Sequence, residues 1–157
     1  MITTERLILR RFTKQDENDY ADIMTKPSVY RYLGTGQGIP REHIGRFIDQ
    51  LESTWGHGLG VYAVTERESG KLLGHCGVRG LSCGRKEILY AIDESAWGKG
   101  YTTEAAKAVL QNHTARPLIA VSYPENSASV NVIKKLGFRS MGQEEMFGKM
   151  LETFILE

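Results

Sequence analysis

The sequence predicts a mixed α/β fold of the α+β kind, in one domain covering residues 1–157. Three observations predict it. Strand-like runs are joined in hairpins at residues 66–70 and around Gly148. Segments of helical period lie between them, and the apolar run 88–92 leads through a glycine turn straight into a helix. The length of 157 residues suits one core, and no repeat, low-complexity tract or linker divides it.

Residues 2–10 alternate apolar and polar, so a strand is expected with Ile2, Leu7 and Leu9 inward. Thr13 and Asp16 have the spacing of a helix cap, and Tyr20, Ile23 and Met24 give the apolar stripe that follows. Pro27 interrupts this helix, and the chain to Leu33 reads as a second short turn. Gly34, Gly36 and Gly38 make a loose loop that either adjusts to a ligand or simply connects. Pro40 suits the first position of a further helix, with Ile44, Phe47, Ile48, Leu51 and Trp55 on its apolar face.

Residues 60–65 and 71–78 read as hairpin strands, and residues 87–92 as the next strand. A helix over 103–113 would bury Ala105, Ala106, Val109 and Leu110. Residues 118–121 are apolar throughout, as in a central strand covered on both faces. The stretch from Asn126 to Leu136 reads as a short helix ended by Gly137, and residues 138–146 and 149–156 as a closing hairpin.

Bulk properties exclude several function classes. A net charge of +1 gives no reason to expect nucleic acid or an acidic membrane as partner. The longest apolar stretches are too short to span a bilayer, and the charged opening segment has no secretory pattern, so a cytoplasmic location is expected. Cys76 and Cys83 then read as free thiols, with Cys76 packed between strands. Neither His75 nor the distant His43, His57 and His113 supplies ligand spacing, so no metal is expected.

The segment from Ala96 to Ala106 carries the strongest functional signal. Gly98 and Gly100, with Lys99 between them, free the backbone to curl tightly, and a helix start adds unpaired N–H groups and about half a positive charge. Strand, glycine turn and helix start together form a site for phosphate groups. The turn is not a P-loop, because no Gly-Lys-Ser/Thr closes it, and no third glycine completes a dinucleotide fingerprint.

A second segment, Asn126-Ser127-Ala128-Ser129 through Lys135-Leu136-Gly137-Phe138, joins the first. With Trp97-Gly98-Lys99-Gly100-Tyr101-Thr102-Thr103-Glu104-Ala105, it resembles the GNAT acyltransferase superfamily. Within that superfamily it resembles the RimJ/RimL-like branch of ribosomal-protein N-terminal acetyltransferases. Residues 4–10, 70–77 and 87–90 look like the family's first, third and fourth strands. The resemblance implies a mostly antiparallel sheet of about seven strands, splayed between the fourth and fifth and flanked by about four helices. It also implies transfer of acetyl from acetyl-CoA to a primary amine, by direct attack in a ternary complex. The acceptor would be a protein N-terminal α-amino group or a small-molecule amine, and the protein a monomer or homodimer.

The same resemblance assigns site residues. Backbone groups of Tyr90, Ala91 and Ile92 would bind the pantetheine arm, with the oxyanion donor an N–H near Ile92. Amides of Trp97, Gly98, Lys99, Gly100, Tyr101 and Thr102 would hold the pyrophosphate, with Asn126 and Ser129 on the cofactor's far side. Lys99 would point to solvent or to the 3′-phosphate. Glu87 is the first choice for a general base acting through water, or else a strand-edge charge paired with Arg79 or Lys86. Glu144 and Glu145 are further candidates. The tyrosine that many family members carry seven residues after the asparagine is Ile133 here, which leaves Ser129 as the acid and Tyr123 as an alternative or a core aromatic. That departure keeps open a non-catalytic acetyl-CoA-binding sensor or scaffold. Asp16, Glu17, Asp19 and Asp22 read as a solvated acidic face.

Overall fold

In the computed structural model, which describes residues 1–157, the first apolar run divides into two strands. β1 (Ile2–Thr3) and β2 (Leu7–Arg10) pair antiparallel about a turn in which the Leu7 amide donates to the Thr4 hydroxyl at 3.0 Å. Leu7 and Leu9 are fully buried, as alternation requires, and Ile2 packs on the same cluster because the turn pairs it across from Leu9. Thr13 and Asp16 form a capping box ahead of α1 (Glu17–Met24), which buries Tyr20, Ile23 and Met24. Asp16 leaves the expected acidic face: it is buried, and Arg10 donates to its two oxygens at 2.8 Å each.

Pro27 starts a helix of its own, α2 (Pro27–Tyr30), because its fixed φ suits a first helical position. Pro40 lies just ahead of a 3-10 turn (Arg41–His43) that leads into α3 (Ile44–Glu52). Ile44, Ile48 and Leu51 are buried there, whereas Trp55 lies beyond the helix. β3 (Gly60–Glu66), β4 (Leu72–Gly80) and β5 (Lys86–Ile92) follow, then α4 (Tyr101–Asn112) and β6 (Leu118–Ser122). The chain closes with α5 (Ser127–Lys135), β7 (Arg139–Met146) and β8 (Lys149–Leu156).

The divided first strand and the helix at Pro27 bring the totals to eight strands and five α-helices. The strand order is β1-β2-β3-β4-β5-β6-β8-β7, and every pairing is antiparallel except β5 with β6. One face of the sheet packs under α1, α2 and α3, around Tyr20, Ile44, Val61 and Ala91. The opposite face packs under α4 and α5, around Val109, Leu118, Ile133 and Phe154.

One polar pair crosses from helix to sheet inside the first of these cores. Tyr20 Oη and His75 Nδ1 share a hydrogen bond of 2.7 Å, and both side chains are buried. Desolvation pushes the His75 ring down to about 3. An unfolded histidine takes its proton near pH 6.5, so between these two values the unfolded chain binds the extra proton. Stability should therefore fall as pH drops through that window. Urea midpoints taken from about pH 7.5 down to about pH 4.5 should decline, and His75→Gln should flatten the decline. An unchanged slope in that variant would assign the acid sensitivity to the carboxylates.

Candidate active site

β5 and β6 run parallel and pair at a single register, Glu87 with Ile119, before they separate. The Asp93 amide donates to the Leu73 carbonyl at 2.7 Å, which fixes the alternation along β5. Backbone groups of Leu89 and Ala91 then face β4, while those of Tyr90 and Ile92 face the gap. Ala91 was expected on the open edge; its pairing with His75 commits it to β4 instead. Side-chain periodicity reveals which face a residue takes, but not which edge its amide faces. β8 occupies the other edge of β6, from Leu118 to Ser122. A cavity of about 860 Å³ fills the space between the parted strands.

At the mouth of the gap the Trp97 indole donates to the Ile92 carbonyl at 2.7 Å. Gly98 and Gly100 follow with φ of +78° and +80°, a left-handed conformation strained for any residue with a Cβ. The Trp97 amide, expected among the pyrophosphate donors, is not free, because it donates to the Glu94 carbonyl at 3.1 Å. The amides of residues 98–103 find no acceptor within the chain, and the first bond of α4 runs from Glu104 N–H to Gly100 C=O. A run of free donors thus meets the positive end of a helix. Trp97, Gly98, Gly100, Tyr101 and Thr102 line the cavity, whereas Lys99 is exposed beside it.

The turn is held from outside by a residue that sequence reasoning placed only in a strand. Arg6 donates to the Lys99 carbonyl at 2.7 Å and to Glu104 Oε1 at 2.7 Å, and its guanidinium lies 4.6 Å from the Tyr101 ring centroid. The Thr4 hydroxyl and the Arg6 amide donate to Glu104 Oε2 at 2.6 and 2.9 Å. The run of four polar residues from Thr3 to Arg6, which breaks the alternation of residues 2–10, was the available signal.

On the α5 side, Asn126 caps the helix by accepting from the Ser129 amide at 3.4 Å while also lining the cavity. The Ser129 hydroxyl lies 2.9 Å from the Tyr90 hydroxyl. Burial pushes the Tyr90 phenol up to about 12, so it keeps its proton at neutral pH. Tyr90 was expected to serve through its backbone; its side chain adds a second hydroxyl beside the serine.

Glu87 projects from the opposite face of β5, next to Arg79 and into the same cavity. Of the two partners considered for it, the structure gives Arg79, whose Nε donates to Glu87 Oε2 at 3.1 Å. Burial raises the Glu87 carboxyl above its ordinary value against the pull of Arg79, so desolvation wins. Glu144 is held by Arg85 through two bonds of 3.0 Å, and neither it nor Glu145 lines the cavity. Tyr123 is not a core aromatic: its hydroxyl donates to the Gly34 carbonyl at 2.7 Å and its ring lies 5.6 Å from that of Tyr32. No group of three or more His, Cys, Asp or Glu could hold a metal ion.

Comparison with known proteins adds a family to this geometry. Residues 6–139 match a family model described as an acetyltransferase (GNAT) domain. The uncharacterized N-acetyltransferase p20 of Bacillus licheniformis is 25% identical, over 97% of this chain and 92% of its own. An acetyltransferase from Agrobacterium tumefaciens str. C58 superposes with a TM-score of 0.84 at 22% identity, covering 99% of this chain and 93% of that one. RimL, a ribosomal L7/L12 alpha-N-protein acetyltransferase solved in complex with coenzyme A, gives a TM-score of 0.82 at 16% identity, covering 99% and 96%. At these identities the two solved structures speak to the fold.

The bond from Tyr123 to Gly34 ties the glycine loop to the end of β6. Tyr123→Phe should speed amide hydrogen exchange across residues 34–38 while leaving α4 unchanged, by hydrogen-exchange mass spectrometry. Equal protection in both proteins would mean that the loop is held by packing alone.

Proposed function

The chain belongs to the GNAT acetyltransferase family as an acetyl-CoA-dependent N-acetyltransferase, and we propose that it acetylates a primary amine within the gap between β5 and β6. The observation that carries this reading is the run of unpaired amides at residues 98–103, set at the end of a strand whose edge is open at Tyr90 and at the Ile92 N–H. Such donors suit a pyrophosphate, and an open strand edge suits an extended arm containing amides. The chain's residues therefore fit coenzyme A: residues 98–103 for the pyrophosphate, Tyr90 and Ile92 for the pantetheine, Asn126 and Ser129 opposite.

Acetyl-CoA bound there supplies an activated acetyl group, which a neutral amine takes as the C–N bond forms and the C–S bond breaks. Glu87, through a water, accepts the proton that the acceptor's ammonium must lose. The Ile92 N–H faces the gap, where it can donate to the carbonyl oxygen as negative charge develops. Ser129 donates to the departing sulfur, the Tyr90 phenol beside it replaces that proton, and the second proton lost by the nitrogen as the amide forms returns through solvent to Tyr90. The products are an N-acetyl amine and free thiol, with one proton released to solvent. Proximity of the two reactants provides most of the acceleration, so modest acid and base groups suffice.

Three substitutions test the assignments. Glu87→Gln should lower kcat/KM by about a hundredfold and abolish the acid limb of the pH profile, which in the native enzyme lies above the ordinary carboxylate range. Ser129→Ala should lower kcat without changing the acceptor's KM. A native limb that survives in Glu87→Gln would remove Glu87 from the base role. Arg6→Ala should raise KM for acetyl-CoA by about tenfold with kcat and acceptor KM preserved, because it loosens only the pyrophosphate turn. A matched fall in kcat instead would show that the turn also positions the thioester.

A further inference from the structure

The cavity as a whole has an unusual charge pattern. Four charged residues line the cavity, namely Arg31, Arg79, Lys135 and Glu87. The one carboxylate among them is already paired with Arg79. His75, on the same face, stays neutral in the physiological range. Once the Arg79–Glu87 pair is set aside, Arg31 and Lys135 have no carboxylate among the residues lining the cavity, and this surplus of positive charge disfavours acceptors with several ammonium groups, such as polyamines and aminoglycosides.

Arg79 offers more than repulsion. It uses Nε on Glu87 and has no partner for either terminal nitrogen. Trp55 Nε1 is the one fully buried side-chain polar atom lacking a partner, so the free ends of Arg79 and the second oxygen of Glu87 are reachable from the cavity they line. Arg79 and Glu87 stand opposite each other on β4 and β5, which fixes their direction. A guanidinium fork and a carboxylate side by side form a rigid dipole. The complement of that dipole is a molecule with an ammonium next to a carboxylate. Phe47, Tyr30, Tyr32 and Leu33 line the same cavity and give it apolar and aromatic surface.

Resting on the acetyltransferase reading above, we propose that the acceptor is a small α-amino acid, with its carboxylate held by the terminal nitrogens of Arg79 and its ammonium presented to Glu87. Arg79 is then the residue that sets acceptor specificity. The reaction is the one already balanced: the nitrogen forms the amide, the thiolate leaves and is protonated, and the ammonium's proton passes to Glu87 and solvent.

The test is a thiol-release assay with acetyl-CoA and the native protein. Acceptors are L-phenylalanine, L-leucine and L-glutamate, the matching amino-acid amides, spermidine, and a peptide with a free N-terminus. Each acid should exceed its amide in kcat/KM by about tenfold to a hundredfold, the worth of one charge-assisted hydrogen bond, and spermidine should be the poorest. In Arg79→Gln that ratio should fall to about one. The common effect on Glu87 lowers both substrates together and cancels from the ratio. Arg79→Lys, which keeps the charge beside Glu87 but loses the fork, should retain part of the preference. Amides, spermidine or the peptide turned over as well as the acids by the native enzyme would overturn the proposal while sparing the acetyltransferase reading. No turnover on any amine, with acetyl-CoA bound by calorimetry, would overturn both.

Discussion

β6 is held along its length by β8 yet meets β5 at one register only, so the sheet is kept whole at its flanks while its middle stands open. Backbone groups without partners are expensive when sealed away, at about 1–3 kcal/mol each, which is why sheets rarely part in this manner. Here the gap opens to a cavity wide enough for solvent, and a ligand with its own amides can take the place of the missing strand. The remaining features of the site follow from that parting. β4 fixes the phase of β5, so Tyr90 and Ile92 turn their peptide groups outward, and the chain leaving β5 places the glycine turn and the start of α4 at the open end.

The alternation of β5 also separates two proton-transfer tasks. Glu87 stands on the face covered by α1, α2 and α3, whereas Tyr90, three residues on, turns to the opposite face and meets Ser129. In the proposed mechanism, a proton is removed on one side of the strand and delivered on the other. Burial acts oppositely on charge and usefulness here. It raises Glu87, giving it more appetite for a proton, and raises Tyr90, keeping its hydrogen available to the serine.

Much of the fold was legible because periodic patterns and punctuating residues agree. Leu7 and Leu9 face inward as alternation demands, Gly137 follows the Leu136 cap of α5 with positive φ, and Phe147-Gly148 turns the closing hairpin with both φ values positive. The phosphate turn was readable because glycine spacing and a helix start are local. What escaped was non-local. Serine 129 and Tyr90 are 39 residues apart, and Arg6 is 93 residues from the carbonyl it holds. Nothing in a local pattern announces such meetings. The edge faced by an amide escaped too, since Ala91 and Tyr90 differ only by the phase that Asp93 imposes. Asp16 was misplaced because its fate depends on Arg10, a residue on a different element.

Trp97 lines the cavity with 48% of its surface exposed and its indole N–H bonded to the carbonyl that ends β5, whereas Trp55 lies outside the cavity with its ring edge-on to Tyr62. An indole so placed is a fluorophore at the mouth of the binding gap, with the second tryptophan as an internal standard. The emission of the protein therefore carries a label-free optical record of whether the gap is filled.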